Sequence, residues 1–129
     1  MMKKVAKKPA KRSVSRTMVR KIAIAANDKK ADDLVVLDLR KFAAFTDFFV
    51  ICSGRSDRHV LSIADGIEEE MTKRKVRLLS EEGYRLGHWV VLDYGYVVCH
   101  IFHPTEREHY RLEKLWHDVP RLKMKGVTA

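Results

Sequence analysis

Six histidines, two cysteines and three aspartates at the ends of apolar runs, Asp38, Asp47 and Asp93, are the side chains whose types could bind a metal or move a proton. A zinc site needs several His or Cys side chains converging on one point. His100 and His103 are three apart at the end of a strand-like run, an odd spacing that sends them to opposite faces of a sheet. His59, His88, His109 and His117 form no His-Glu-x-x-His pair, so no metal site is predicted. None of the aspartates belongs to an Asp-x-Asp pair that would hold magnesium, and no Ser, Thr or Cys has the neighbours of an activated nucleophile. The turn Ser53-Gly54-Arg55-Ser56, between an apolar run and a helix, could offer backbone N–H groups to an anion. Without a following Gly-Lys-Ser/Thr or any Gly-x-Gly-x-x-Gly it reads as a capped turn instead. Catalysis has no visible apparatus, and no cofactor is predicted.

Recognition is better equipped. Positions 89–116 hold both tryptophans of the chain, Trp89 and Trp116, together with Asp93, Tyr94, His100, Phe102, Arg107 and Tyr110. Aromatic and Arg side chains carry most of the energy at protein interfaces. Trp116, near Leu112 and Leu115 on a helical pattern, reads as core packing; Trp89, which follows His88 at the start of a strand, fits core and surface equally.

The elements that must position these residues follow from apolar periodicity. In residues 18–26, Met18, Val19, Ile22, Ala23 and Ala26 recur every three or four positions, which predicts a helix ending near Asn27. Residues 34–39 and 48–52 read as buried strands. Ser56 is placed to cap a helix whose buried stripe is Val60, Ile63, Ala64, Ile67 and Met71. Residues 76–79 give a third strand, and the helix is a crossover if the second and third strands run parallel. Residues 80–88 read as a loop, and residues 89–93 and 97–102 as an antiparallel hairpin turning at Tyr94, Gly95 and Tyr96. Pro104 and Thr105 open a last helix, with Glu108 completing a capping box, and Pro120 ends it. The expected fold is α/β: a single compact domain whose mixed sheet of about five strands is flanked by helices.

Charge divides the chain unequally. The formal net charge is +9, yet residues 1–21 carry nine basic groups and no acid, while residues 22–129 carry seventeen of each sign. Residues 1–17 are therefore expected to form a basic arm, disordered when free and attracted to polyanions through Lys3, Lys4, Lys7, Lys8, Lys11 and Arg12. The domain proper is expected over residues 18–119, with residues 120–129 as a tail. No apolar run approaches the ~20 residues that span a bilayer, so no membrane is expected as a partner. Cys52 and Cys99 sit inside predicted strands as buried free thiols of a reducing compartment.

One series of residues resembles a known family. Asp38, Arg40, Thr46, Asp47, Phe48, Phe49, Val50, Ile51, Ser53, Gly54, Ser56 and Arg58, then Trp89, Leu92, Asp93, Gly95, Val97, Val98, His100, Phe102, Arg107, Tyr110, Leu112, Glu113, Leu115 and Trp116, resemble in order and spacing the ribosomal silencing factors, RsfS or Iojap. The resemblance covers about residues 18–119 and implies a nucleotidyltransferase-like fold without the catalytic signature. It also implies a translational repressor that binds the large ribosomal subunit through ribosomal protein L-fourteen. By occupying the face where the small subunit docks, such a protein blocks subunit association when nutrients are short. Contact is implied around Trp89, Leu92, Asp93, Tyr94 and His100, with Arg107 and Tyr110 beside them. Homodimers occur in the family. The resemblance and the Lys-dominated arm together place the chain in a bacterial cytoplasm in preference to an organelle matrix.

Tyr96 departs from the family pattern, which usually has an acidic residue after Gly95. Two other functions compete with silencing. One is a nucleotidyltransferase-related enzyme using a divalent metal at Asp38, Asp47 or Asp93; the other is an RNA-binding module acting through the basic arm.

Overall fold

The computed structural model describes residues 8–128, with side chains from Ser15 onward. In chain order the elements are α1 (Lys8–Asp28), β1 (Asp32–Asp38), β2 (Phe48–Ser53), α2 (Asp57–Lys73), β3 (Ser80–Glu82), β4 (Trp89–Asp93), β5 (Val97–Phe102), α3 (Pro104–Tyr110) and α4 (Leu112–Leu115). The strands form one five-stranded sheet in the order β1-β2-β5-β4-β3. Only β2 and β5 pair in parallel, so the sheet is mixed, as expected.

Alternation along the strands decides which face is covered. Phe48, Val50, Cys52, Val97, Cys99, Ile101, Val90 and Leu92 turn to one face, where the apolar stripes of α1 (Met18, Val19, Ile22, Ala23, Ala26) and α2 (Val60, Ile63, Ala64, Ile67, Met71) pack on them. The joint between β2 and α2 is fixed locally. Ser56 Oγ accepts the His59 N–H at 3.1 Å and caps α2. The turn before it holds Gly54 so close to α2 that an added Cβ would meet Val60 N at 2.7 Å. Among the described residues the other face of the sheet has no long helix on it; its covering is a loop over residues 40–46, α3, α4 and Val119.

Four expectations need correction. The first helix begins at Lys8, so residues 8–17, assigned to a disordered arm, have helical backbone, and Ser15 is buried with its Oγ donating to Asp47 Oδ2 at 2.9 Å. The third strand is Ser80–Glu82 and not residues 76–79. Val76 and Leu78 do turn toward the core, but ladder pairing starts only where Ser80 faces Asp93. Edge strand β3 runs parallel to β2 in direction, although β5 and β4 lie between them, so α2 crosses two strands.

The last helix is capped by His103, whose Nδ1 accepts the Thr105 N–H at 3.3 Å, and Thr105 is not its cap. It also breaks: Arg111 adopts a left-handed φ of 46°, ending α3 and starting α4. The break re-aims Leu112 and Trp116 onto the sheet. Finally, residues 120–128, set apart from the domain as a tail, pack on it. Arg121 bridges to Leu37, the Leu122 N–H donates to Val36 O at 2.8 Å, and Met124 is buried against the core.

Candidate functional site

The ladder registers decide which side chains meet on the thinly covered face. Trp89 faces Phe102, Val91 faces His100 and Asp93 faces Val98 across β4 and β5. The parallel pairing of β2 with β5 then adds Phe49 beside Val98 and Ile51 beside His100. The result is a connected aromatic surface. The Trp89 ring stacks on Phe102 (centroids 4.8 Å apart) and is covered from the solvent side by Tyr110 (4.7 Å). Phe49 meets His100 edge-on at 4.6 Å and Trp116 at 5.9 Å, while Phe45 reaches both Phe49 and Trp116. Tyr110, against Trp89, is 53% exposed and Phe45, against Phe49 and Trp116, is 62% exposed, so large aromatic groups of this cluster stand in water. An exposed apolar cluster rimmed by polar groups marks an interaction surface.

His100 lies beneath this surface. Trp89 Nε1–H donates to its Nδ1 at 3.2 Å, and its Nε2 is buried with no hydrogen-bond partner among the described residues. Burial among aromatic rings disfavours the cation and pushes its pKa down to about 4. A neutral imidazole there is packing and an acceptor for the indole, and it is not the imidazolium that a general acid would need at neutral pH. The imidazole is also closed off by Phe49, Phe102 and Trp89.

Arg107 is committed within the protein. Its Nε and Nη2 grip Glu113 Oε1 and Oε2 at 3.0 and 2.8 Å, Nη1 donates to Ser53 Oγ at 2.9 Å, and Nη2 also reaches Asp33 O at 2.9 Å. The pairing holds the Glu113 carboxyl below the usual carboxylate range. One guanidinium thereby ties the helical pair α3–α4 to the ends of β1 and β2. A mixed-charge cleft of about 680 Å³ opens beside it, lined by Asp32, Arg111 and Lys114 among others.

The structure brings together Trp89, His100 and Tyr110 of the residues singled out in the sequence, with Asp93 on the same face at the end of β4. Asp93 Oδ1 accepts the Gly95 N–H at 2.8 Å, shaping a turn in which Gly95 takes a φ of 91°. Leu92 does not belong to the surface. It is fully buried on the opposite face under the helices, because neighbouring strand residues point to opposite sides. Tyr94 is likewise buried in that core. Sequence reading missed Phe45 and Phe49 as surface builders; the signal was the pairing of β2 with β5, which alternation within each strand does not reveal.

The carboxylates offered for metal chemistry have structural partners. Asp38 holds Arg40 through two contacts of 2.9 and 2.7 Å, and Asp47 is buried and accepts from Ser15 Oγ. Among the described residues no group of three or more His, Cys, Asp or Glu is placed to hold a metal ion. Cys52 and Cys99 are buried free thiols, and burial raises the Cys52 pKa to about 12. Of the cations offered for RNA contact, Lys3, Lys4 and Lys7 lie outside the described residues, while Lys8, Lys11 and Arg12 fall on the backbone of α1. Among the described residues no helix is long and apolar enough to cross a membrane.

Comparison with known proteins gives the chain a family. The model of "ribosomal silencing factor during starvation" matches residues 12–129. Ribosomal silencing factor RsfS of Bacillus subtilis is 43% identical over 101 residues, which cover 78% of this chain and 86% of that protein. A mouse relative, "mitochondrial assembly of ribosomal large subunit protein 1", is 34% identical over 91 residues, covering 68% of this chain and 40% of its own length. A crystal structure from Bacillus halodurans superposes with a TM-score of 0.77 at 35% identity, covering 84% of this chain and 99% of that one. The fold, the length matched and the identity agree: the chain belongs to the ribosomal silencing factor family, RsfS or Iojap.

Proposed function

We propose that this protein represses translation by seating its aromatic face on the large ribosomal subunit, against ribosomal protein L-fourteen, and so blocks the approach of the small subunit. The observation that carries the reading is the half-buried Trp89 covered by an exposed Tyr110, with an exposed Phe45 packed on Phe49 and Trp116, and Asp93 opposite Val98 on the same side of the sheet. Such a cluster supplies a desolvated aromatic anchor with an acidic side chain at its margin, suited to a basic ribosomal-protein partner. A standard contact buries on the order of 800 Å² per partner, which one sheet face of a domain this size can provide. The family description supports action during starvation, and the mouse relative's name supports the large subunit as the binding target. Steric exclusion needs no reaction, in keeping with a regulatory and non-enzymatic role. The bacterial cytoplasm is the proposed site of action.

Co-sedimentation with isolated large subunits tests this directly. Wild type should pellet with them and prevent their pairing with added small subunits. Trp89→Ala and Asp93→Asn should weaken both effects at least tenfold while Leu92→Val, in the opposite face, changes neither. Normal subunit joining in a saturating excess of wild-type protein would overturn the proposal.

A further inference from the structure

The whole excess of positive charge in the chain lies in its first 21 residues, and the structure turns most of that segment into helix. Within α1, Lys8, Arg12, Arg16 and Arg20 follow one another at intervals of four, with Lys11 and Lys21 beside the row and no acid before Asp28. Intervals of four put residues on one side of a helix, with a rise of about 6 Å per step and about 18 Å over the row. Arg16 and Arg20 are exposed and have no ion-pair partner among the described residues. Nearby, Asp38 is held below the ordinary carboxylate range chiefly by Arg40, and Arg16 adds to that effect across space. Of these cations, Arg16 is within electrostatic reach of Asp38, which sits just before the turn that carries Arg40 and the exposed Lys41.

From this placement we infer that α1 is a second docking surface, a grip for the sugar-phosphate backbone of structured RNA, on the side of the sheet opposite the aromatic face. A row of regularly spaced cations along a rigid rod suits a polymer with a charge at every repeat. The surface offers no aromatic platform on which bases could stack, since residues 1–41 contain no aromatic side chain. Contact should thus be to phosphates, insensitive to sequence and steeply dependent on salt. A lipid surface fits less well, because a helix lying in a membrane needs a free apolar face. The apolar face of α1, from Met18 to Ala26, is consumed in the core. On the ribosome this grip would add to the aromatic contact, and it stands on the charge row whether or not that contact is made to L-fourteen.

The test uses the full chain and a fluorescein-labelled RNA hairpin with no ribosomal protein present, titrated by anisotropy at several salt concentrations. Wild type should bind, with an affinity that falls as salt rises. Arg16→Ala/Arg20→Ala should lower affinity about tenfold at low salt and reduce the log–log salt slope by roughly two. Lys123→Ala/Lys125→Ala, which removes the same charge elsewhere, should leave the slope unchanged. Trp89→Ala should bind the hairpin like wild type, which separates this inference from the ribosomal-protein reading. Wild-type binding that is absent, or equal in the Arg16/Arg20 variant, would overturn it. So would binding to phosphatidylserine vesicles in preference to the hairpin. Both arginines are exposed, and matching thermal melts confirm that the variant is folded.

Discussion

The indole N–H of Trp89 donates to Nδ1 of His100 at 3.2 Å, diagonally across the β4–β5 ladder. The bond requires a lone pair on Nδ1, so the imidazole is neutral with its proton on Nε2. One residue of the candidate docking face is therefore oriented by another that is too buried to touch a partner itself.

That relationship has a pH signature. In the unfolded chain His100 takes up a proton near its ordinary value of 6.5, whereas in the fold it resists protonation down to about 4. Between these values the unfolded state binds more protons, so stability must fall as pH drops through the window and level off below it. The full effect is on the order of 3 kcal/mol. His100→Gln keeps an acceptor for the indole and removes the titration. The difference in unfolding free energy between wild type and variant, measured by urea denaturation, should shift toward the variant as pH falls from 7 to 4. A constant difference would refute it.

Arg107 should behave as a fold residue and not as a contact residue. Its side chain is only 13% exposed and is shared among Glu113, Ser53 and Asp33. Arg107→Ala leaves a partly buried carboxylate and hydroxyl without their donor, which costs ~2–4 kcal/mol. Arg107→Lys keeps the charge but not the two-pronged grip and should recover only part of the loss. Large-subunit affinity per folded molecule should stay within about twofold for the lysine variant. A lysine variant as stable as wild type but deficient in binding would reverse the assignment.

A second titrating contact clips the edge strand to a helix. Glu68 of α2 interacts with Glu81 of β3; burial first, then Glu81 and the charge of Asp65, raise its pKa to about 7. A raised folded pKa means the contact is fully favourable below the ordinary value of 4.5 and is lost as pH rises through 7. Glu68→Gln keeps a donor for Glu81 at every pH. Its Tm should match wild type in acid and exceed it by a few degrees at pH 8.5, and a gap that does not widen with pH would exclude the shared proton.

Legibility in the sequence followed the range of the interaction. The helix stripe of Val60, Ile63 and Ile67 and the hairpin around Gly95 depend on neighbours within a few residues, and both stand where periodicity puts them. The family resemblance pointed to the stretch that carries much of the aromatic face, yet it assigned Leu92 and Asp93 alike to contact, and one residue of offset put Leu92 in the core. What alternation could not supply was register between strands distant in sequence. The pairing of Phe49 with Val98, and with it the aromatic depth of the face, depends on β2 lying beside β5. The αL residue Arg111 was hidden for a related reason: the chain breaks there to lay Leu112 and Trp116 on the sheet, a tertiary demand that overrides local helix preference.

The C-terminal segment carries the remaining prediction, because it closes an edge that would otherwise be open. Strand β1 is a sheet edge, and residues 120–124 lie along it: the Asp38 N–H donates to Pro120 O at 2.9 Å and the Leu122 N–H to Val36 O at 2.8 Å. Further on, Met124 is buried and Asn27 Nδ2 on α1 donates to Val127 O at 2.6 Å, so the strap joins the sheet edge to the first helix. An uncovered edge strand offers unpaired backbone groups to other chains. Met124→Ala should cost ~2–4 kcal/mol through the cavity it leaves, with the protein still monodisperse. Deleting residues 120–129 should cost more and, unlike the point substitution, should promote self-association, because only the deletion strips the outer edge of β1 of its backbone partners. Sedimentation velocity separates the two effects. If the truncated protein is destabilised but stays in the same oligomeric state as wild type, the segment is a core plug and not an edge cover.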